Sequence, residues 1–339
     1  MFSFENILDL PIIWYALIGT AVFLYVLLDG FDLGVGILFP FAPSDQSRDR
    51  IMNSIAPFWD GNETWLVLGG GGLFAAFPLA YAVLMPAFYL PIIFMLLGLI
   101  FRGVAFEFRF KAFGWSRKAW NYAFHLGSLT AAFMQGVVLG TFVQGIAVEG
   151  RRFAGGALDW VSPFALMTGA ALVFGYALLG ATWIIMKTDG ETQEWARNYA
   201  GSICVCVALF MALVTLSTPL INNDIKTLWF SLPNFFYLSP LPLLAFGMFL
   251  LLWKDLRRKK ECRPFFLSIG IFLMNYLGLG ISLWPWIVPF RFTLWEAAAA
   301  PQSQSLLLAG TLFLLPMVLG YTAYSFYTFR GKASPEGYY

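Results

Sequence analysis

The stretch LMPAFYLPIIFMLLGLI, residues 84–100, holds no charged side chain and no alternation of polar with apolar positions. A strand of a membrane barrel would alternate, and an amphipathic helix of a soluble protein would keep a polar face. The run therefore reads as a helix in hydrocarbon, where every backbone N–H and C=O must be satisfied within its own segment. Pro86 and Pro91 inside it predict a kink, because each removes a donor from the helical ladder.

Outward from this stretch the chain falls into nine apolar runs, near residues 11–38, 56–77, 80–107, 120–146, 161–187, 199–219, 234–257, 264–289 and 305–329. Each is close to the length of roughly 18 or more residues that a spanning helix needs. The composition agrees, with 59% hydrophobic residues and a mean hydropathy of +0.72. Only 12% of residues are charged, against about 25% in soluble domains, which excludes a water-soluble fold. The loops are too short for a separate soluble unit, so residues 1–339 are expected to form a single transmembrane domain. The expected fold class is all-α and polytopic, with about nine transmembrane helices arranged as two four-helix bundles plus one peripheral helix. The first run has a long apolar core flanked by Glu5 and Asp9 and ends in Asp29-Gly30-Phe31-Asp32, which predicts that it is retained and not a cleaved signal.

Alternating spans place 17 of the 21 Lys and Arg residues on one face and only Arg151, Arg152, Lys226 and Arg291 on the other. By the positive-inside rule the rich face is cytoplasmic, with the N-terminus outside and the C-terminus inside. The cluster Lys254 to Arg263 is then a loop that fixes topology and not a nucleic-acid surface. Small residues mark sites for close helix packing: Gly30, Gly34 and Gly36, the run Gly69 to Gly72, and Gly278 with Gly280. Trp14, Trp160 and Trp229 suit an interfacial belt. The three cysteines, Cys204, Cys206 and Cys262, imply no disulfide framework.

Ionisable groups inside membrane spans are costly and mark function by default. Asp29 and Asp32 share a face of the first span, and Asp60 and Glu63 repeat that spacing at the start of the second. The third span runs to the same end with Arg102 and Glu107, followed by Arg109. Two readings stand side by side. The carboxylates pass protons inward from the cytoplasm, or they form a salt-bridge knot with Arg102 and Arg109 that clamps three helices. The sole histidine, His125, rules out bis-histidine haem and two-histidine metal sites within this chain, and no phosphate-binding loop is present.

The motifs Leu28-Asp29-Gly30-Phe31-Asp32-Leu33-Gly34-Val35-Gly36, Asn53-Ser54-Ile55-Ala56-Pro57-Phe58-Trp59-Asp60-Gly61-Asn62-Glu63 and Phe101-Arg102-Gly103-Val104-Ala105-Phe106-Glu107-Phe108-Arg109 resemble subunit II of cytochrome bd ubiquinol oxidase. The likeness extends to Gly280-Ile281-Ser282-Leu283-Trp284-Pro285 and Trp295-Glu296-Ala297. With Phe101-Arg102-Gly103 and Pro301-Gln302-Ser303-Gln304-Ser305 it is most similar to the cyanide-insensitive branch.

The resemblance implies a haem-free accessory subunit with no catalytic residue of its own. Its partner would be a larger subunit I that carries haem b, haem d and the quinol site, with room for a small single-helix subunit and for lipid. It implies proton delivery through Asp29, Asp32 and Asp60, with Glu63 and Glu107 beside them, and Trp59 as an aromatic contact for a structural quinone. Phe58 and Glu63 depart from relatives that carry histidine and glutamine there. The rival reading is a proton-coupled membrane transporter.

Overall fold

The structure, a computed structural model, describes residues 9–333; Glu5, invoked for the retained first span, lies outside them. Among the described residues the helices are α1 (Leu10–Leu38, prolonged by a 3-10 turn at Phe39–Phe41), α2 (Asp45–Asn53), α3 (Trp59–Ala76), α4 (Pro78–Ala87), α5 (Tyr89–Arg109), α6 (Gly114–Gln144) and α7 (Pro163–Lys187). They continue with α8 (Gly190–Ile221), α9 (Asn223–Phe230), α10 (Asn234–Leu238), α11 (Pro240–Arg257), α12 (Arg263–Leu283), α13 (Leu294–Ala297) and α14 (Pro301–Thr328). Two small antiparallel hairpins pair β1 (Val148–Glu149) with β2 (Arg152–Phe153) and β3 (Trp286–Val288) with β4 (Phe292–Thr293).

Eight helical segments are long and apolar enough to cross a membrane: α1, α5, α6, α7, α8, α10 with α11, α12 and α14. The second expected span is α3, a helix of 18 residues whose opening turns carry Asp60, Asn62 and Glu63, so its composition falls short of the others. The third expected span is divided. Helix α4 ends at Ala87, Phe88 leaves helical geometry, and α5 begins at Tyr89 with Pro91 in its first turn, where a missing N–H costs nothing. The kink anticipated from Pro86 and Pro91 is thus a break. Proline also opens α7, α11, α12 and α14, and Ser162 caps α7 by accepting from the Ala165 N–H.

Helices α1, α3, α5 and α6 form one bundle and α7, α8, α11 and α12 a second, joined where α1 and α6 lie against α7. Helix α14 packs on α3 and α1 from outside, and Gln304 is its one buried residue. Its first turn is pinned by Gln304, whose Nε2 donates to Ala76 O at 3.0 Å and whose carbonyl accepts from Trp14 Nε1 at 3.1 Å. Trp14, expected in an interfacial belt, is therefore buried. The other end is strapped down. Lys187 donates to the carbonyls of Phe329 and Gly331, Ala333 N donates to Lys187 O at 2.7 Å, and Phe326 stacks on Phe58 at 4.5 Å.

The bundles meet through glycine. A Cβ on Gly34 would stand 1.8 Å from Tyr176 O, and one on Gly180 would meet the Gly34 backbone at 2.3 Å, so α1 and α7 touch backbone to backbone. The other marked runs meet side chains or nothing: Gly69 and Gly72 approach Val22 and Ile18 at 3.2 and 3.1 Å, Gly70, Gly71 and Gly280 have nothing within 4 Å, and Gly278 has ordinary contact with Trp229. Hairpins β1–β2 and β3–β4 pack with α4 and α13 over the end where α1 begins, forming a second apolar cluster around Phe77, Leu84 and Val288. The opposite end is ionic. Asp49 pairs with Arg109 at 2.7 Å and Arg117 at 2.8 Å, and Arg50 with Asp189 at 2.7 Å. The Arg50 hydrogen bond holds the Asp189 carboxyl below its ordinary range.

Because the obstacle at Gly34 is a backbone carbonyl that cannot rotate away, Gly34→Ala is expected to cost about 1–3 kcal/mol, the usual penalty of overpacking. A thermal melt of the detergent-solubilised protein checks this, with Gly247→Ala, which meets nothing within 4 Å, expected to melt like the unaltered chain.

Candidate functional site

Asp29 sits nine residues before the end of α1, about 14 Å of helical rise from the ionic end. Its neighbour one turn on, Asp32, points the same way, and both are fully buried. Arg102 of α5, also fully buried, reaches between them. Its Nη1 lies 2.5 Å from Asp29 Oδ1 and 3.1 Å from Glu63 Oε1 of α3, and its Nη2 lies 3.8 Å from Asp32 Oδ2. Asn62, next to Glu63 on α3, donates from Nδ2 to Asp32 Oδ2 at 2.7 Å and to Leu28 O at 3.2 Å. Three carboxylates from two helices therefore share one guanidinium from a third.

The members differ in access. The Glu63 side chain is 27% exposed, whereas those of Asp29, Asp32 and Arg102 are 0% exposed, so among the described residues Glu63 is the member of the cluster that meets the surface. Four polar atoms inside it, Asp29 Oδ2, Asp32 Oδ1, Arg102 Nε and Arg102 Nη2, have no hydrogen-bond partner in the protein. Buried polar atoms are normally satisfied, so this is the most polar and least self-contained part of the membrane interior.

Of the residues expected from sequence, the structure brings Asp29, Asp32 and Glu63 together. Asp60, one turn before Glu63, and Glu107, one turn beyond Arg102, are exposed, and neither side chain joins the cluster by an ion pair or hydrogen bond among the described residues. Arg109, grouped with Arg102 in the clamp reading, pairs with Asp49 instead and secures α2. Trp59 is half-buried and lies flat on Phe106, centroids 4.8 Å apart and 3° between planes. His125 turns Nδ1 to the Gly36 carbonyl at 3.2 Å, and with a single histidine the chain offers no pair of imidazoles for a haem. No group of three or more His, Cys, Asp or Glu placed to hold a metal occurs among the described residues.

Sequence reasoning missed Asn62 as a member of the site. It missed Tyr25 as well, buried one turn before Asp29 on the same face of α1. Polar residues at i and i+4 inside an apolar run were the signal available.

Comparison with known proteins places this geometry. The family model for cytochrome bd terminal oxidase subunit II matches residues 10–329. The chain is 30% identical over 364 residues to cytochrome bd-I ubiquinol oxidase subunit 2 of Escherichia coli (strain K12), covering 96% of each. It is 30% identical over 336 residues to cytochrome bd ubiquinol oxidase subunit 2 of Bacillus subtilis (strain 168), covering 95% of this chain and 96% of that one. In fold it is similar to a chain of the bd oxidase from Geobacillus thermodenitrificans, with a TM-score of 0.70 at 19% identity over 95% of this chain and 99% of that one. A polytopic helical chain with this match over nearly its full length belongs to the cytochrome bd terminal oxidase subunit II family and is a subunit of an oxidoreductase complex.

Proposed function

We propose that this chain is the haem-free accessory subunit of an inner-membrane quinol oxidase and that it carries protons from the cytoplasm while stabilising a haem-bearing subunit I. The observation that carries the proton role is the charge count of the buried cluster: one guanidinium faces three carboxylates, two sealed and one half-open. Net charge in hydrocarbon is costly, and the set is neutral when two of the three carboxylates hold a proton. Such a cluster stores and passes protons by its composition. Glu63 is the port, exposed Asp60 one turn away gathers protons towards it, Asp29 and Asp32 are the interior stations, and Glu107 lies at the same end of α5 as a second surface acid. The unpartnered atoms of Asp32 and Arg102 support this, since they leave an acceptor and donors within the cluster.

The names of the relatives, ubiquinol oxidase subunits, support the wider reaction: quinol is oxidised, oxygen is reduced to water, and haem b and haem d in the partner carry the electrons. The single histidine gives no reason to route electrons through this chain. Trp59, half-buried and flat on Phe106, is the aromatic contact for a structural quinone on this reading. The exposed apolar flanks of α5 and α14 suit lipid, subunit I and a small single-helix subunit; no nucleic acid is involved.

Asp29→Asn and Asp60→Asn complexes with full haem content are expected to consume oxygen more slowly, by roughly tenfold or more at Asp29, as for loss of a positioned proton-transfer group. Unchanged steady-state rates would remove the conduction role. The same carboxylates on a multi-span chain would also suit a proton-coupled transporter. Gentle solubilisation decides between them: the oxidase reading expects a larger haem-bearing partner and quinol-driven oxygen consumption, whereas a transporter would be colourless and active alone. Orientation has its own test in Cys262, which is exposed in the basic loop between α11 and α12 while Cys204 is buried. With the N-terminus outside and the C-terminus cytoplasmic, a membrane-impermeant thiol reagent should label Cys262 in inverted vesicles and leave it untouched in intact spheroplasts.

A further inference from the structure

A second polar chain leaves the cluster away from Glu63. Gln135 of α6 donates from Nε2 to the Tyr25 hydroxyl oxygen at 2.7 Å, and the Tyr176 hydroxyl of α7 donates to Gln135 Oε1 at 2.7 Å. Tyr25 and Tyr176 are buried, and Gln135 is half-buried between them. The site is built for these rings: a Cβ on Gly30, beside Asp29, would stand 2.7 Å from Tyr176 Cε1, and the far side of Tyr176 is stacked on Phe272.

The direction of the chain follows from its ends. Asp29 Oδ2 is buried without a hydrogen-bond partner, and Tyr25 lies one helical turn earlier on the same face of α1. The Tyr25 oxygen accepts from the Gln135 amide and Gln135 Oε1 accepts from Tyr176, so the Tyr25 proton is left to be donated, with the orphaned Asp29 Oδ2 as the acceptor one turn away. Every donor points the same way, towards the negative charge, and bonds so aligned strengthen one another. An amide cannot pass a proton along this line, since Nε2 keeps its hydrogens and Oε1 is already engaged.

We propose that Tyr25, Gln135 and Tyr176 form a one-way hydrogen-bond relay that holds the Asp29 carboxylate in its pairing with Arg102 and closes the cluster towards the second bundle. The three are positioning residues, and their value to turnover rests on the proton-carrying role of Asp29 proposed above. Proton traffic is thereby confined to the side of α3 and α5.

Infrared difference spectroscopy of the whole complex tests this. The carboxylate band of Asp29 is assigned by its loss in Asp29→Asn. Tyr25→Phe, which keeps the ring, should shift that band, and Tyr176→Phe, acting through Gln135, should shift it less. Proton uptake during oxygen reduction should slow about tenfold in Tyr25→Phe, the scale of one hydrogen bond to a charged group, with the haem spectrum unchanged. An Asp29 band that stays in place in both tyrosine variants overturns the relay. If the band shifts while Asp29→Asn takes up protons at the full rate, the relay stands and the conduction role falls.

Discussion

A guanidinium sealed beneath the membrane surface has to be answered by negative charge, and Arg102 is answered from two other helices at once. Its bonds to Asp29 of α1 and Glu63 of α3, with Asp32 3.8 Å away, tie three elements of the first bundle at one depth. Pulling any of them away would strand a buried charge, a penalty of about 3–5 kcal/mol where one partner of such a pair is removed. The cluster therefore sets the mutual positions of α1, α3 and α5. Those positions place Gly30 and Gly34 of α1 against Tyr176 and Gly180 of α7, which is how the second bundle is registered on the first.

The rest of the molecule protects that arrangement by dividing labour along the membrane normal. One end is closed by apolar packing of α4, α13 and the two hairpins, the other by ion pairs among α2, α5, α6 and the segment between α7 and α8. Helix α14 shows the division most clearly. Its middle buries nothing within this chain, yet Gln304 fixes its beginning and the Lys187 strap its end. Between those anchors Leu315 and Val318 rest on the Trp65 cluster, and the opposite apolar flank is left to whatever lies beside it in the membrane.

Much of this was legible in the sequence because hydrocarbon imposes few solutions. Apolar length gave the spans, and the asymmetry of Lys and Arg matches an end that the structure fills with ion pairs. What the sequence could not resolve were local choices between equivalent solutions. Pro86 and Pro91 required some interruption, but whether the helix bends or stops depends on packing at Phe77 and Phe88 against the outer cluster. Asp60 and Glu63 look alike as letters three apart, yet one is exposed and the other meets Arg102, because a helix of uncertain phase fixes their spacing and not the direction of either. The glycine runs likewise announced close contact equally, and only the run in α1 finds a backbone opposite it.

The clamp and the proposed proton path need not compete. A balanced pair would clamp three helices and carry nothing, and a group of carboxylates without Arg102 would protonate fully and clamp nothing. Three acids face one guanidinium, so on the proposed proton role the surplus charge of the interaction that fixes α1, α3 and α5 is what protons would neutralise. Glu63 is partly exposed, while Asp29 and Asp32 are fully buried, so Glu63 is where the proposed path would meet the surface. Holding the helices and the proposed holding of protons both rest on one charge imbalance, set by polar residues that converge at a single depth.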